Sequence, residues 1–390
     1  MPGSRQIAAA LAIAAKPRKP SKLAELLARC LVMNILSPQL VQEIAEVALS
    51  DLETSKDHDC TTDIRKLSTV GSHGKFPQNC RRQLFNTVLA APKLESQSFL
   101  IPLKDNDSAT GWSWTPQDLF LPHLWLHQMW FNYKHMWQTV VCPSQQVMES
   151  FWDAMSDHPL LEGSSILTIP HYRSRVIPLW AHGDGVATVG VGKSWSRMMD
   201  AYTYGSILVP HAKSFDACVM AWPVFHAIRS TVEGFKTMDT FNAIYKWSFE
   251  AALEGTFPAK DYRGVSYDPL SPNGIKAGTP LAPLQDGTWL RALLFLHRQD
   301  LDHIAKEMDM AHHGSTRPCI WCPATKHAHD NPWYDFRRAV ATWIAQIFTN
   351  ASWRVARPND GFALMRMLWM SPLALAPDGM HIKHSGSDKY

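Results

Sequence analysis

The strongest constraint on the fold of this chain is a series of short apolar runs that begins after Gly163. The runs cover 166–169, 175–181, 187–191 and 204–209, and Pro, Gly or polar residues separate them. Short apolar and β-branched segments divided by turn residues are typical of strands. Because apolar positions recur at helical spacing before and after these runs, the sequence predicts an α/β fold with a sheet that begins after Gly163.

Helical patterns indicate how the chain is divided. They cover 22–36, 37–52, 122–137, 143–155, 213–256, 289–308 and 333–348, and a loop rich in Pro and Gly occupies 257–288. Ser37 and Pro38 have the residue types of a helix cap and a first helical position. We therefore expect a helical N-terminal region with a linker over 1–75, an aromatic-rich helical region over 76–162, and a sheet domain over 163–390 with an insertion at about 212–370.

Composition excludes some classes of protein. The 16 Trp, 16 Phe and 9 Tyr predict an aromatic core, while a net charge of +3 is too small to indicate nucleic-acid binding by itself. Seven cysteines, an odd number, do not suggest a disulfide framework, so the expected compartment is intracellular. No apolar run reaches the roughly 18 residues of a membrane span. The apolar run 7–15 is compatible with a signal peptide, and the basic residues at 16–22 with nuclear import or a solvated linker.

Two acidic motifs follow apolar segments. Asp184 lies in His182-Gly183-Asp184-Gly185, where the expected strand ends and the two glycines would permit a sharp turn and close approach of a ligand. Asp378 lies in Asp378-Gly379-Met380-His381, and a helical turn there would project Asp378 and His381 to one side. Each aspartate suits a divalent metal ion, but by itself the Asp184 motif favours an ordinary turn, and the Asp378 motif is compatible with either interpretation.

A cysteine motif lies between these two acidic motifs. Cys319 and Cys322 form a C-x-x-C turn, and His312, His313, His327 and His329 lie within seven residues of it. Two thiolates and two imidazoles, with His327 and His329 as the favoured pair, would complete a structural zinc site. A reduced buried pair and a redox dithiol are the alternatives.

Two further clusters have structural interpretations. Asp300, Asp302 and His303 are expected on the helix that leads to the cysteine motif, where a solvated helical face is favoured over a metal site. The histidines 123, 127 and 135 lie among the aromatic residues of 112–137. Core packing is favoured there over base stacking or metal binding.

In this order the motifs resemble the DDE transposases related to the CACTA and Kyakuja-Dileera-Zisupton groups, particularly the multicopy transposon-like proteins of dinoflagellate genomes. The resemblance runs from about residue 75 to the end of the chain. The motifs that carry it are Leu121-Pro122-His123, His182-Gly183-Asp184-Gly185, Gly192-Lys193-Ser194-Trp195-Ser196, Asp300-Leu301-Asp302-His303, Pro318-Cys319-Ile320-Trp321-Cys322-Pro323, Pro332-Trp333-Tyr334-Asp335-Phe336 and Asp378-Gly379-Met380-His381.

The resemblance implies an RNase H-like mixed sheet in which carboxylates hold two Mg²⁺ or Mn²⁺ ions for phosphodiester cleavage and strand transfer on DNA. It makes Asp184 the first carboxylate and Asp378 the second, with His381 beside it, and it places the cysteine motif in a helical insertion. The expected location is nuclear or intracellular, and the protein is compatible with an oligomer.

The sequence departs from this family at the third carboxylate. The family has a glutamate downstream of the Asp378 motif, whereas no Glu follows Glu307 in this chain, which ends at Tyr390. The sequence therefore predicts a C-terminally truncated transposase-like protein that is inactive as a nuclease. The alternative is a non-enzymatic, zinc-stabilised nucleic-acid-binding or interaction protein.

Overall fold

The computed structural model of the chain divides into two compact units, residues 1–93 and 94–390. It describes residues 36–52, 94–134, 136–189, 197–209, 218–299, 315–326, 346–356, 363–367, 369–370 and 372–377, with isolated residues from 23–30, 64–69 and 303–310. The predicted boundary at 75/76 and the predicted helix over 333–345 lie outside the described residues. The described parts of 76–162 and of the region that follows share one hydrophobic core within the second unit.

The first unit contains helix α1, Pro38–Leu52, as the sequence predicts. The Ser37 hydroxyl accepts a hydrogen bond from the Leu40 amide at 3.1 Å, which satisfies one of the amides that a helix leaves unpaired at its start. A small apolar cluster of Leu27, Val41, Ala45, Ile64 and Leu67 packs around this helix.

The second unit opens with a hairpin that the sequence did not predict. Strand β1, Gln97–Lys104, pairs antiparallel with β2, Trp112–Leu119. The expectation that the sheet structure begins only after Gly163 is therefore wrong. Phe99, Ile101 and Leu103 alternate along β1 and are buried, which is the period of a strand with one face on the core.

Helices follow the hairpin, close to the predicted ranges. They are α2 (Pro122–Phe131), α3 (Trp137–Val140), α4 (Gln145–Ala154) and α5 (Tyr172–Arg175), with 3₁₀ turns at Pro159–Leu161 and Ser165–Thr168. The predicted helix 122–137 thus divides into two. The predicted strand 166–169 is wrong, because the Ser164 hydroxyl accepts the Ile166 amide and caps a 3₁₀ turn there.

A five-stranded mixed sheet forms the centre of the second unit, and it confirms the predicted α/β class. Its strands are β3 (Val176–Val189), β4 (Arg197–Ser206), β5 (Val219–Phe225), β6 (Arg291–Gln299) and β7 (Leu375–Pro377). The order is β5-β4-β3-β6-β7, with β4 antiparallel to its neighbours β3 and β5, and with β6 parallel to both β3 and β7.

Two of these strands lie where the sequence predicted helix. Val219–Phe225 was assigned to the helical range 213–256, and Arg291–Gln299 to the helix 289–308. The run from Ala292 to Phe295 is fully buried, so it lacks the alternation of a half-exposed strand. Periodicity does not separate such a run from a buried helix, which explains the error.

Helix α6, Thr237–Glu254, packs on one face of the sheet through its aromatic residues. The rings of Tyr202 and Phe241 are 4.7 Å apart, and those of Tyr204 and Tyr245 are 6.3 Å apart. Two short helices, α7 (Pro272–Lys276) and α8 (Asn350–Ala356), and 3₁₀ turns at His226–Ile228, Ala363–Arg366 and Pro372–Ala374 complete the described elements. The aromatic core is as the composition predicts.

Candidate functional site at one end of the sheet

Asp184 lies within β3, opposite Ala201 of β4, and its side chain is partly exposed. Tyr202 and Tyr204 of β4 pack against α6. Because side chains alternate along a strand, Ala201 and its partner Asp184 face away from α6. The prediction that Asp184 ends its strand is wrong, because β3 continues to Val189.

The glycine before Asp184 is required by packing. A Cβ atom on Gly183 would lie 2.9 Å from Cε1 of Tyr202 and 3.0 Å from Nε2 of His303. A Cβ atom on Gly185 would lie 3.2 Å from the flexible terminal methyl group of Met198 and at an ordinary contact distance of 3.8 Å from Oδ1 of Asp200. The sharp turn expected from these glycines is absent, and at Gly183 it is close contact with the Tyr202 ring that excludes a side chain.

Three paired positions of the parallel strands are each followed in the sequence by an aspartate. Ala181 of β3 pairs with His297 of β6, which pairs with Leu375 of β7. Three residues after each of these paired positions the sequence has an aspartate, namely Asp184, Asp300 and Asp378. Asp300 was expected within a helix, but it follows Gln299, the last residue of β6. Asp300, Asp378 and His381 themselves lie outside the described residues.

A buried histidine lies behind this end of the sheet. Burial, together with the neighbouring His303 and His182, lowers the pKa of His297 to about 3, so the ring is neutral at physiological pH. The Gln299 side-chain amide nitrogen lies 2.6 Å from Nδ1 of His297, and its carbonyl oxygen is buried without a hydrogen-bond partner among the described residues. Sequence reasoning missed His297, which is the only polar residue between Ala292 and Arg298.

A second polar cluster that the sequence did not predict surrounds Asp200 of β4. Asp200 is 1% exposed, and its two carboxylate oxygens lie 2.5 Å from Nε2 of His226 and 2.5 Å from Nη1 of Arg229. Asp200 lies opposite Gly185, so it is close to Asp184 along the sheet but on the face that packs against α6. With both oxygens engaged, Asp200 is a buried structural ion pair.

The cysteine motif forms a compact turn within the second unit. The Cys319 sulfur accepts a hydrogen bond from the Trp321 amide at 3.4 Å, and Cys322 is buried. The Trp321 indole donates to the Pro372 carbonyl at 2.9 Å, and Pro372 lies just before β7. The turn is therefore attached to the edge of the sheet beside β7, while His312, His313, His327 and His329 lie outside the described residues.

The two aromatic-region histidines that the structure describes bind protein groups. Nδ1 of His123 lies 2.8 Å from the Ser248 hydroxyl, and Nδ1 of His127 lies 3.1 Å from the Leu281 carbonyl. Burial lowers the pKa of His123 to about 3. Core packing, the favoured interpretation of these two residues, agrees with these contacts, and His135 lies outside the described residues.

The described residues contain no group of three or more His, Cys, Asp or Glu side chains placed to hold a metal ion. None of their helices combines the length and the apolar character that a membrane crossing requires. No protein-family model, no curated protein and no solved structure matches the chain.

Proposed function

We propose that this chain is a transposase-like protein of a DNA mobile element, with an RNase H-like domain that binds a divalent metal ion at the end of the sheet near Asp184. The observation that carries the proposal is the parallel register of β3, β6 and β7, in which the sequence has an aspartate three residues after each of the paired positions Ala181, His297 and Leu375. The five-stranded mixed sheet supports the proposed RNase H-like class.

The residues at this end of the sheet have the chemistry that the metal needs. Asp184 is partly exposed, so its carboxylate is accessible, and carboxylate oxygens are the preferred ligands of Mg²⁺ and Mn²⁺. Asp378 is the second ligand in the proposal, with His381 three residues after it. A bound ion would supply Lewis-acid chemistry toward a phosphodiester.

The register adds Asp300 to this set. Asp300 directly follows β6 in the sequence, and β6 lies between β3 and β7. Its offset from the paired residue His297 equals the offset of Asp184 from Ala181 and that of Asp378 from Leu375. We therefore include Asp300 as a third carboxylate of the proposed site.

Binding of Mn²⁺ tests the site directly. We expect the full-length protein to bind Mn²⁺, measured by electron paramagnetic resonance of the free ion, and Asp184→Asn to weaken binding at least about tenfold. Asp118→Asn, which changes an exposed aspartate on β2, is the matched control and should bind as the parent does. Equal binding by the parent and Asp184→Asn would refute the site. A loss of Mn²⁺ affinity in Asp300→Asn or in Asp378→Asn would identify that residue as a further ligand.

Nicking of supercoiled plasmid tests the activity. The two-carboxylate interpretation predicts no cleavage in Mg²⁺. Cleavage that Asp184→Asn, Asp300→Asn and Asp378→Asn each abolish would instead indicate that Asp300 completes the site as a third carboxylate, and it would overturn the expectation of an inactive protein.

A second candidate function is a zinc-stabilised nucleic-acid-binding or interaction protein without nuclease activity. The Trp321 amide that donates to the Cys319 sulfur favours this candidate, since such a bond stabilises the negative charge of a metal-bound thiolate. Zinc content of the purified protein should fall in Cys319→Ser and stay unchanged in Cys218→Ser. A parent without zinc would refute the zinc site and leave the carboxylate site to be decided by Mn²⁺ binding.

A further inference from the structure

An arginine lies beside Asp184 on the face of the sheet that points away from α6. Trp180, His182 and Asp184 alternate along β3 and therefore share this face. Arg298 of β6 pairs with His182, so it lies on the same face. Its neighbours His297 and Gln299 are buried on the other face, whereas the Arg298 side chain is exposed.

The Arg298 side chain is held by an aromatic ring. Its Cζ atom lies 5.4 Å from the centroid of the Trp180 ring, which is the range of a cation–π contact. No carboxylate among the described residues forms an ion pair with Arg298. A guanidinium stacked on a ring loses less conformational freedom when it binds a ligand, and its N–H groups remain available to an anion.

The spacing of the strands relates Arg298 to the proposed carboxylates. Adjacent strands lie about 4.8 Å apart and each residue advances about 3.3 Å, so the Cα atoms of Arg298 and Asp184 are about 8 Å apart. Aspartates at this end of the sheet repel a polyanion. The positive charge of Arg298 offsets that repulsion. It would act on the backbone phosphate next to the phosphodiester that approaches Asp184.

We propose that Arg298, supported by the Trp180 ring, binds a backbone phosphate of the DNA adjacent to the phosphodiester at Asp184. This inference rests on the proposed function, because it takes DNA as the ligand. The contact would carry no sequence preference, because phosphate contacts position the protein on DNA without reading bases.

The salt dependence of DNA binding tests this contact. In the full-length protein, Arg298→Ala should weaken binding to duplexes of unrelated sequence and lower the slope of log Kd against log salt concentration by about 1, the loss expected for one phosphate contact. Arg298→Lys should restore the slope, because the lysine keeps the charge. Trp180→Leu should weaken binding without changing the slope, because it removes the support but leaves the cation.

Arg291→Ala is the matched control. Arg291 lies on the same strand about 23 Å away, and its guanidinium also lies over a tryptophan ring, 5.5 Å from the centroid of Trp289. We expect its slope to equal that of the parent. If Arg298→Ala keeps the parental slope while the parent binds both DNA and Mn²⁺, the Arg298 contact is refuted and the proposed function stands. A parent that binds neither DNA nor Mn²⁺ refutes both.

Discussion

Lowering the pH from 8 to 5 should destabilise the second unit through two buried histidines, His123 and His297. They are 2% and 1% exposed, and burial lowers the pKa of each to about 3 from an ordinary 6.5. The folded state therefore keeps both rings neutral at pH 5, while the unfolded chain binds a proton on each. Stability that is fully present above pH 6.5 is lost as the pH falls from 6.5 toward 3.

The magnitude follows from the pKa difference. A pH of 5 is about 1.5 units below the pKa of an unfolded histidine, and each unit corresponds to about 1.4 kcal/mol. Each histidine therefore lowers the free energy of unfolding by about 2 kcal/mol at pH 5. The two together cost about 4 kcal/mol, a large share of the 5–15 kcal/mol typical of a folded domain. Urea unfolding at pH 8, 6 and 5, followed by tryptophan fluorescence, measures the loss.

Single variants separate the two contributions. His297→Gln and His123→Gln should each reduce the loss of unfolding free energy between pH 6 and pH 5 by about 1.4 kcal/mol, whatever their stability at pH 8. His171→Asn is the control, because His171 is exposed and Asn accepts its left-handed backbone conformation. If the free energy of unfolding of both Gln variants depends on pH as that of the parent does, the reasoning that these rings are neutral in the folded protein is refuted.

The remaining predictions concern stability at pH 8, measured by urea unfolding. Gly183→Ala should lose about 1–3 kcal/mol, because its Cβ atom would overlap the buried Tyr202 ring, and a loss no greater than that of Gly185→Ala would contradict this. Trp152→Phe should lose about 1–3 kcal/mol, because it leaves the Val176 carbonyl, 2.7 Å from the indole nitrogen, without its donor; an unchanged unfolding midpoint would be the contrary result. Asp200→Ala should lose about 3 kcal/mol by removing the counter-charge of Arg229, whereas Asp286→Ala, which removes an exposed carboxylate, should lose much less.

The cysteine turn packs beside β7, the strand that precedes Asp378 in the sequence. The Trp321 indole binds the carbonyl of Pro372, three residues before β7 begins at Leu375, and the sequence continues from β7 directly to Asp378. Zinc binding at Cys319 would therefore stabilise the strand that leads to a proposed metal ligand. A change in Mn²⁺ affinity in Cys319→Ser, absent in Cys218→Ser, would measure this coupling.

The local sequence determined the elements that have a strong local pattern. Helix α1 follows from Ser37, Pro38 and the apolar spacing after them, and α4 begins where Ser144 caps it. The aromatic composition predicted the kind of core. In each case neighbouring residues alone carry the information, through capping hydrogen bonds and apolar periodicity.

Only the tertiary structure decided which residues lie together near Asp184. The sequence predicted a helix over residues 291–299, where the structure has strand β6. Every position from Ala292 to Phe295 is buried, and a strand enclosed between β3 and β7 has no polar face that would show the two-residue period of a strand. The sequence singled out Asp184 and Asp378 but assigned Asp300 to a helical surface. Pairing of β3 with β6, whose paired residues are more than 100 positions apart, placed Arg298 beside Trp180. Such long-range pairing depends on the packing of the whole unit, which no local pattern encodes.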